Sequence, residues 1–264
     1  MPRIGWQNPL VLRPRWIAFH VACLLGVIAM VNLSLWQFSR LDERRDFNRR
    51  VTERSQLDPV DVIGLDFGDS DLREAVTATV VDELDWRAIG AVGTYDADEQ
   101  IVVVNRSQNG VAGANVVTPL VLADGRAIAV VRGFIPLSIV DSPPPPPSGE
   151  VRLVGTLRRS ESRRTGQPAD VDGDAEQLLR LDLARLQEQV PAELLPMYVI
   201  LAASEPADSD LLATVVPPDR SEGSHLSYAV QWLIFAVAVI VGWVLAVQRS
   251  RRSMRRKSST TSGP

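Results

Sequence analysis

The sequence predicts a membrane α+β protein, in which two transmembrane helices flank an extracytoplasmic antiparallel β barrel or sandwich domain with short helices. Three observations predict it. Two apolar runs without a formal charge stand near the two ends. The residues between them break into short β-branched runs separated by turn residues. The acidic residues are confined to the middle of the chain. The hydrophobic fraction of 45% is ordinary for a soluble chain, so the distribution of apolar residues decides the class.

The first run extends from Trp16 to Ser39 and the second from Leu226 to Gln248. A hydrocarbon core about 30 Å thick takes about 20 helical residues, and both runs are long enough. The first is too long for the apolar core of a signal peptide, and its exit (Leu35, Trp36, Gln37, Phe38, Ser39, Arg40) has no small-x-small cleavage pattern. It therefore reads as an uncleaved anchor. Trp16 and Trp36 bracket the first span, and Tyr228 and Trp243 lie towards the ends of the second, as in an aromatic belt.

The resulting organisation is a cytoplasmic lead over 1–15, a span over 16–39, a domain over 40–222, a span over 223–248 and a basic cytoplasmic tail over 249–264. All acidic residues lie between Asp42 and Glu222, so the net charge of −4 hides an acidic centre between basic ends. The basic tail puts the C-terminus inside, and two spans put both termini on one side. The arginines from Arg40 to Arg54 argue locally for the opposite orientation, but they are interleaved with Asp42, Glu43, Asp46 and Glu53, which can pair with them at helical spacing. The expected location is the cell (plasma) membrane, with the central domain outside and the lipid bilayer as a partner. No nucleic-acid partner is expected. Cys23, the single cysteine, lies in the first span and excludes an intrachain disulfide, so the domain must be held by its own core.

Along the domain, RLDERRDFNRR continues the first helix to a stop at Asp58-Pro59. DVIGLDFGDSD reads as loop, and LREAVTATVVDELD starts as a short helix. WRAIGAVGTY, QIVVVN, NVVTPLVL, AIAVVRGFIPL, EVRLVGTL, MYVILA and ATVVP read as strands. Asp124-Gly125 between two apolar runs signals a hairpin. The run of five prolines from Pro143 to Pro147 reads as a spacer that cannot join a sheet. SESRRTGQPADVDGDAE reads as a polar excursion, and LDLARLQEQV as a short helix capped by Asp182.

The domain has no histidine and no cysteine, which excludes a histidine-based triad, a Cys–His pair and the usual zinc ligand sets there. There is no phosphate-binding glycine loop, and an enzyme is not expected. The two histidines, His20 and His225, belong to the spans or their edges. An intramembrane histidine suggests function, and imidazole is a common haem ligand. His225 reads either as a ligand or as an interfacial residue bonded to water or headgroups. His20, about one turn into its span, reads as a polar contact between helices. With both termini inside, the two lie over 20 Å apart in depth and cannot share one iron. Ser227, Gln231 and Ile234 share a helix face, which suggests packing against the chain's own first span or another protein.

Four ordered blocks carry a resemblance. LSLWQFSRLDER (33–44), GANVVTPLVLADG (113–125), VVRGFIP (130–136) and HLSYAVQWLIFA (225–236) resemble blocks of the Surfeit locus protein 1 family, and the two-span layout agrees with it. Ser34, Val131 and Phe134 depart from the residues usual there. The resemblance implies an assembly factor for haem-copper cytochrome c oxidase, assisting haem a insertion into or stabilisation of subunit I. It implies His225 as the tentative ligand of transiently held haem a, and no family motif covers His20. Arg40 at the outer interface could pair with a haem propionate or serve as an anchor. Trp36, Gln37, Ser227, Tyr228, Gln231 and Trp232 are the expected partner-facing residues. No catalytic residue and no other metal site is implied. The alternative is a permanent accessory subunit of a cytochrome bcc–oxidase supercomplex with a structural, non-haem role.

Overall fold

A computed structural model of the chain describes residues 13–65, 67, 73–169 and 176–260. Most of the lead and parts of the DVIGLDFGDSD loop and of the polar excursion lie outside the described residues. The chain divides into two compact units, Met1–Asn48 with Arg220–Pro264, and Arg49–Asp219.

The first unit holds the two apolar helices. Helix α1 runs Pro14–Ser55 and α4 runs His225–Thr260. Pro14 stands at the first helical position, where its missing N–H costs nothing. Both helices are long and apolar enough to cross a membrane, and only 6% of each apolar window is buried. That bareness argues against core helices of a soluble fold, which would be covered. Helix α4 does not stop at residue 248 but carries its basic residues on to Thr260.

The second unit is a mixed sheet with short helices. Helix α2 spans Arg73–Leu84 and α3 spans Leu183–Gln187. The strands are β1 (Val60–Asp61), β2 (Ala88–Tyr95), β3 (Ile101–Gln108), β4 (Val111–Leu122), β5 (Ala127–Pro136), β6 (Glu150–Arg159), β7 (Gln177–Leu178) and β8 (Met197–Glu205). Their order is β1-β2-β6-β8-β5-β4-β3-β7, and β4 pairs again with β2. The far half of β4 thus returns to β2, through Gly93↔Leu122 to Tyr95↔Leu120, and the near half pairs with β3.

The expectation of a purely antiparallel sheet does not hold. Strands β5 and β8 pair in parallel, as do β1 with β2 and β3 with β7. β5 and β8 are far apart in sequence, so no tight hairpin forces them to run opposite ways. The segment ATVVP is also not a strand. Only Ala213 forms a backbone bridge, to Phe134, while the Gln108 side-chain amide of β3 bonds the backbone of Thr214 and Val216. Helix α2 covers the whole of its expected segment, not only the first part.

Turn chemistry explains the hairpins. Gly125 has φ +85°, and Asp124 accepts from the Arg126 backbone N–H and side chain, joining β4 to β5. Asn109 and Gly110 both have positive φ and join β3 to β4, the pattern of a type I′ turn. Asp182 caps α3 by accepting from the Ala184 N–H.

Strand β5 reads as an almost unbroken apolar run because both its faces are buried. Ile128 and Val130 enter one hydrophobic cluster with Ile89, Leu153, Met197 and Val199. Ala129 and Val131 enter another with Ile101, Leu181 and Leu186. The alternation is that of a strand with a period of two. It is interrupted at Arg132. Val131 pairs with Val117 and Gly133 with Val116, so Arg132 has no partner of its own and is a bulge residue.

The bulge sends the Arg132 side chain inward, and its guanidinium is completely buried. Nε and Nη2 donate to the two Asp208 carboxylate oxygens at 2.8 and 2.5 Å. Nη1 donates to Gln100 Oε1 at 2.6 Å and to the Pro144 carbonyl at 3.1 Å, and Nη2 donates to the Pro145 carbonyl at 2.9 Å. Thr118 Oγ1 lies beside Nη1 and bonds Gln100 as well. All five guanidinium donors are used. The proline run is therefore more than a spacer, since two of its carbonyls close the shell of a buried cation. Gly133, next in sequence, has no positive φ and makes no turn. It is needed because a Cβ there would come within 2.8 Å of the Leu212 Cβ.

Removing one partner of a buried pair strands the other. Arg132→Ala is expected to cost about 3–5 kcal/mol, read as a lower denaturation midpoint of the full chain in detergent. An unchanged midpoint would show that the guanidinium holds nothing. Tyr95 gives a second prediction. Among the described residues its buried hydroxyl has no hydrogen-bond partner, and burial, then the Asp208 charge, push its pKa upward against Arg132. The folded chain therefore keeps the tyrosyl proton longer than the unfolded chain does. Stability is full below the ordinary tyrosine value of about 10 and falls as pH rises above it. Tyr95→Phe should remove part of that alkaline loss without lowering the midpoint at neutral pH.

Candidate functional site

The first and fourth sequence blocks meet in the helix pair. Small residues make the approach possible. Ala229 and Ala236 on α4 are buried, and Ser34 on α1 is buried and donates to the Ala229 carbonyl at 3.0 Å. One helix thus packs on the backbone of the other, the arrangement that small residues favour in membranes. The packed face of α4 carries Ala229 and Ala236. Ser227, Gln231 and Ile234 are exposed, so that polar face does not pack on the chain's own first span.

Next to Ser34, the ring of His225 meets Gln37, with Nδ1 and Oε1 2.9 Å apart. An amide oxygen can only accept, so Nδ1 carries the proton. Gly223, at φ +68°, turns the chain into α4 immediately before the histidine. Its positive φ is what favours glycine, since a Cβ there would meet the His225 ring only at van der Waals distance, 3.5 Å from Cδ2 and 3.8 Å from Nε2. Among the described residues nothing is bonded to Nε2. With Nδ1 donating, Nε2 is the ring nitrogen that could ligate a metal. Leu33, Trp36, Leu226 and Tyr228, close in sequence to Gln37 and His225, are exposed.

The other expected residues lie close in sequence to this point but serve different contacts. Arg40 pairs with Glu43 at 2.8 Å and its guanidinium lies 5.7 Å from the Trp36 ring centroid. Arg45 grips Glu222 with two bonds of 2.8 and 2.9 Å. Arg44 donates to the Ser221 carbonyl, and Asn48 to that of Arg220. Three residues spaced within one helical turn of α1 thus fasten the segment that leads into α4. Arg45 holds the Glu222 carboxyl below the usual carboxylate range, mainly through that bond. The pair therefore contributes above the ordinary carboxylate pKa and loses its contribution as pH falls through the lowered one. Trp232 is half-buried and stacks edge-on with Phe235 at 5.9 Å.

His20 sits at the opposite end of the pair. Its Nδ1 accepts from the Trp243 indole N–H at 2.6 Å, and Trp16 and Phe19 flank its ring. It lies 17 residues before Gln37 on α1, about 25 Å away along a straight helix. The two histidines are therefore not brought together. Among the described residues no group of three or more His, Cys, Asp or Glu is placed to hold a metal ion.

Sequence reasoning missed the fastening of residues 220–222 by Arg44, Arg45 and Asn48, because a pair separated by 177 residues has no local signature. It also missed a cavity of about 620 Å³ in the sheet unit, bordered by Arg106, Arg158, Arg159 and Glu161. Its arginines are engaged at least in part, Arg106 with Glu161 and Arg159 with Asp82 and Asp85.

The sequence model of the SURF1 family matches residues 24–237. An uncharacterized SURF1-like protein of Mycobacterium tuberculosis is 24% identical over 269 residues, covering 100% of this chain and 93% of that protein. A SURF1-like protein of Rickettsia felis is 22% identical, covering 86% of this chain and 95% of its own. Surfeit locus protein 1 of Xenopus tropicalis is 26% identical, covering 83% and 73%.

The helix pair makes a direct prediction. In a Cys23→Ser background, Ser34→Cys with Ala229→Cys should form a disulfide on mild oxidation, seen as loss of both free thiols in the monomer. Leu35→Cys with Ala229→Cys, in which position 35 is exposed, should not.

Proposed function

Since this chain belongs to the SURF1 family, we propose that it is a membrane-anchored assembly factor for haem-copper cytochrome c oxidase. It has no catalytic activity of its own and assists haem a insertion into, or stabilisation of, subunit I. His225 is the haem ligand, held transiently. Both termini lie in the cytoplasm, and residues 40–222 lie outside the plasma membrane. The single observation that supports the haem role is the contact of His225 with Gln37, which leaves Nε2 as an available nitrogen where two family blocks meet. When bound, the haem would supply iron redox chemistry, and His225 would hold the iron through Nε2. His20, about 25 Å away and bonded to Trp243, cannot share that iron, so a second ligand, if there is one, comes from a partner or another copy.

A second reading draws on a different observation. Ser227 and Gln231 expose polar side chains on an apolar helix. In lipid such groups favour a helix partner. A permanent accessory subunit of a cytochrome bcc–oxidase supercomplex would use that face without handling haem.

Deleting the gene in its host should lower assembled oxidase and its haem a absorption, and His225→Ala should reproduce most of that loss while leaving the protein in the membrane. Normal oxidase in the deletion strain would sink both readings. A stoichiometric, haem-free copy in purified supercomplex, with oxidase indifferent to His225→Ala, would favour the subunit. A reporter enzyme active only outside the cytoplasm, fused after Arg252, should stay inactive if the tail is inside.

A further inference from the structure

Both histidines of the chain bond to the opposite helix through Nδ1, and the two bonds run in opposite senses. His225 Nδ1 faces Gln37 Oε1, an oxygen that can only accept. His20 Nδ1 faces the Trp243 indole nitrogen, which can only donate. A neutral imidazole has one N–H. On His225 it is therefore spent at Nδ1, and Nε2 keeps its lone pair. On His20 Nδ1 spends its lone pair on the indole, and the proton sits on Nε2. Metal coordination through Nε2 needs that nitrogen bare. His225 meets the requirement as it stands. His20 would have to move its proton and surrender the Trp243 bond first.

We infer that Gln37 is a positioning residue that fixes His225 as the Nδ1–H tautomer and so makes Nε2 the nitrogen offered to a metal centre, while Trp243 fixes His20 in the opposite, non-ligating form. The inference rests on the proposed reading of His225 as a haem ligand for its functional meaning, but the tautomers themselves do not depend on it. Two further features fit. Gln37 is half-buried on α1, next to the Ser34–Ala229 contact, so its amide is presented from a rigid part of the pair. Second partners of this kind set both ring orientation and ligand basicity at metal-binding histidines. A carboxylate in place of the amide would still accept from Nδ1 but would add a negative charge beside the ring.

The test uses the full chain in detergent, with 15N-labelled histidine and no haem present. The ring nitrogens of His225 should give a protonated signal at Nδ1 and a bare one at Nε2, and those of His20 the reverse. Assignment comes from His20→Phe and His225→Phe. Gln37→Leu should shift His225 towards the Nε2–H form and leave His20 unchanged, and Gln37→Glu should preserve the original His225 pattern. With haemin as the probe, Gln37→Leu should weaken binding about 10–100-fold, and Gln37→Glu should restore most of it with an altered Soret position. The disulfide of Ser34→Cys with Ala229→Cys in the Cys23→Ser background, formed equally with Gln37, Gln37→Leu and Gln37→Glu, keeps a loss of folding from passing as a loss of positioning. A His225 that carries its proton on Nε2 in the natural chain, or a Gln37→Leu chain with natural tautomer and affinity, overturns the inference. Haemin binding that survives His225→Ala removes the ligand reading instead, and leaves the tautomer result standing.

Discussion

A fully buried guanidinium fixes the sheet unit. An isolated charge in a protein interior is untenable, so everything around Arg132 is organised to answer it. The bulge in β5 aims the side chain, Thr118 on β4 and Gln100 before β3 supply neutral oxygens, Asp208 after β8 supplies the countercharge, and two proline carbonyls complete the shell. Segments with no regular structure of their own are thereby tied to the central strand. The second and third sequence blocks face each other here. Gly113 on β4 lies so close to the Ile135 carbonyl and the Phe134 ring that no Cβ fits, and Gly133 is equally confined by Leu212. The residues of these blocks are explained by packing and charge burial within the sheet unit.

The first and fourth blocks obey a different logic. They meet on the helix pair, where Ser34 and Ala229 permit close approach and Gln37 and His225 exchange a bond. Neither block buries a charge. What they share is a small, polar patch at one end of two otherwise apolar helices. Four motifs that appear in sequence as one ordered set thus divide into two structural pairs, one serving the sheet and one the helices.

Much of this was legible in the sequence for physical reasons. Uncharged runs of helical length leave few alternatives, and the strands β2 to β6 and β8 carry their β-branched residues openly. β1 and β7 were not legible, because two-residue strands exist only through their pairing. ATVVP misled because β-branched composition marks a tendency, and a strand also needs a neighbour to pair with. The Asn109-Gly110 hairpin could have been read from its dipeptide alone. Of the two partners the polar α4 face allowed, the chain's own first span is not the one, since the close packing on α1 is made by Ala229 and Ala236. Arg132 could be seen as part of a motif, but its burial could not, since that depends on Asp208 and the prolines arriving from elsewhere in the chain. Gln37 was visible as a residue near the membrane edge, while its aim at a histidine 188 residues later was not.

The two histidine bonds sit at opposite ends of the helix pair, and together they act as a vernier. A one-turn slide of α4 against α1, about 5.4 Å, would bring His225 or Trp232, the half-buried residues one turn to either side, to the place where Ala229 now lies against Ser34 and would pull both rings from their partners at once. Both side chains are far larger than the alanine they would replace there. The pair therefore has one register and no cheap neighbouring one. Whatever His225 meets in this register comes to it from the side, along the outer surface of the pair.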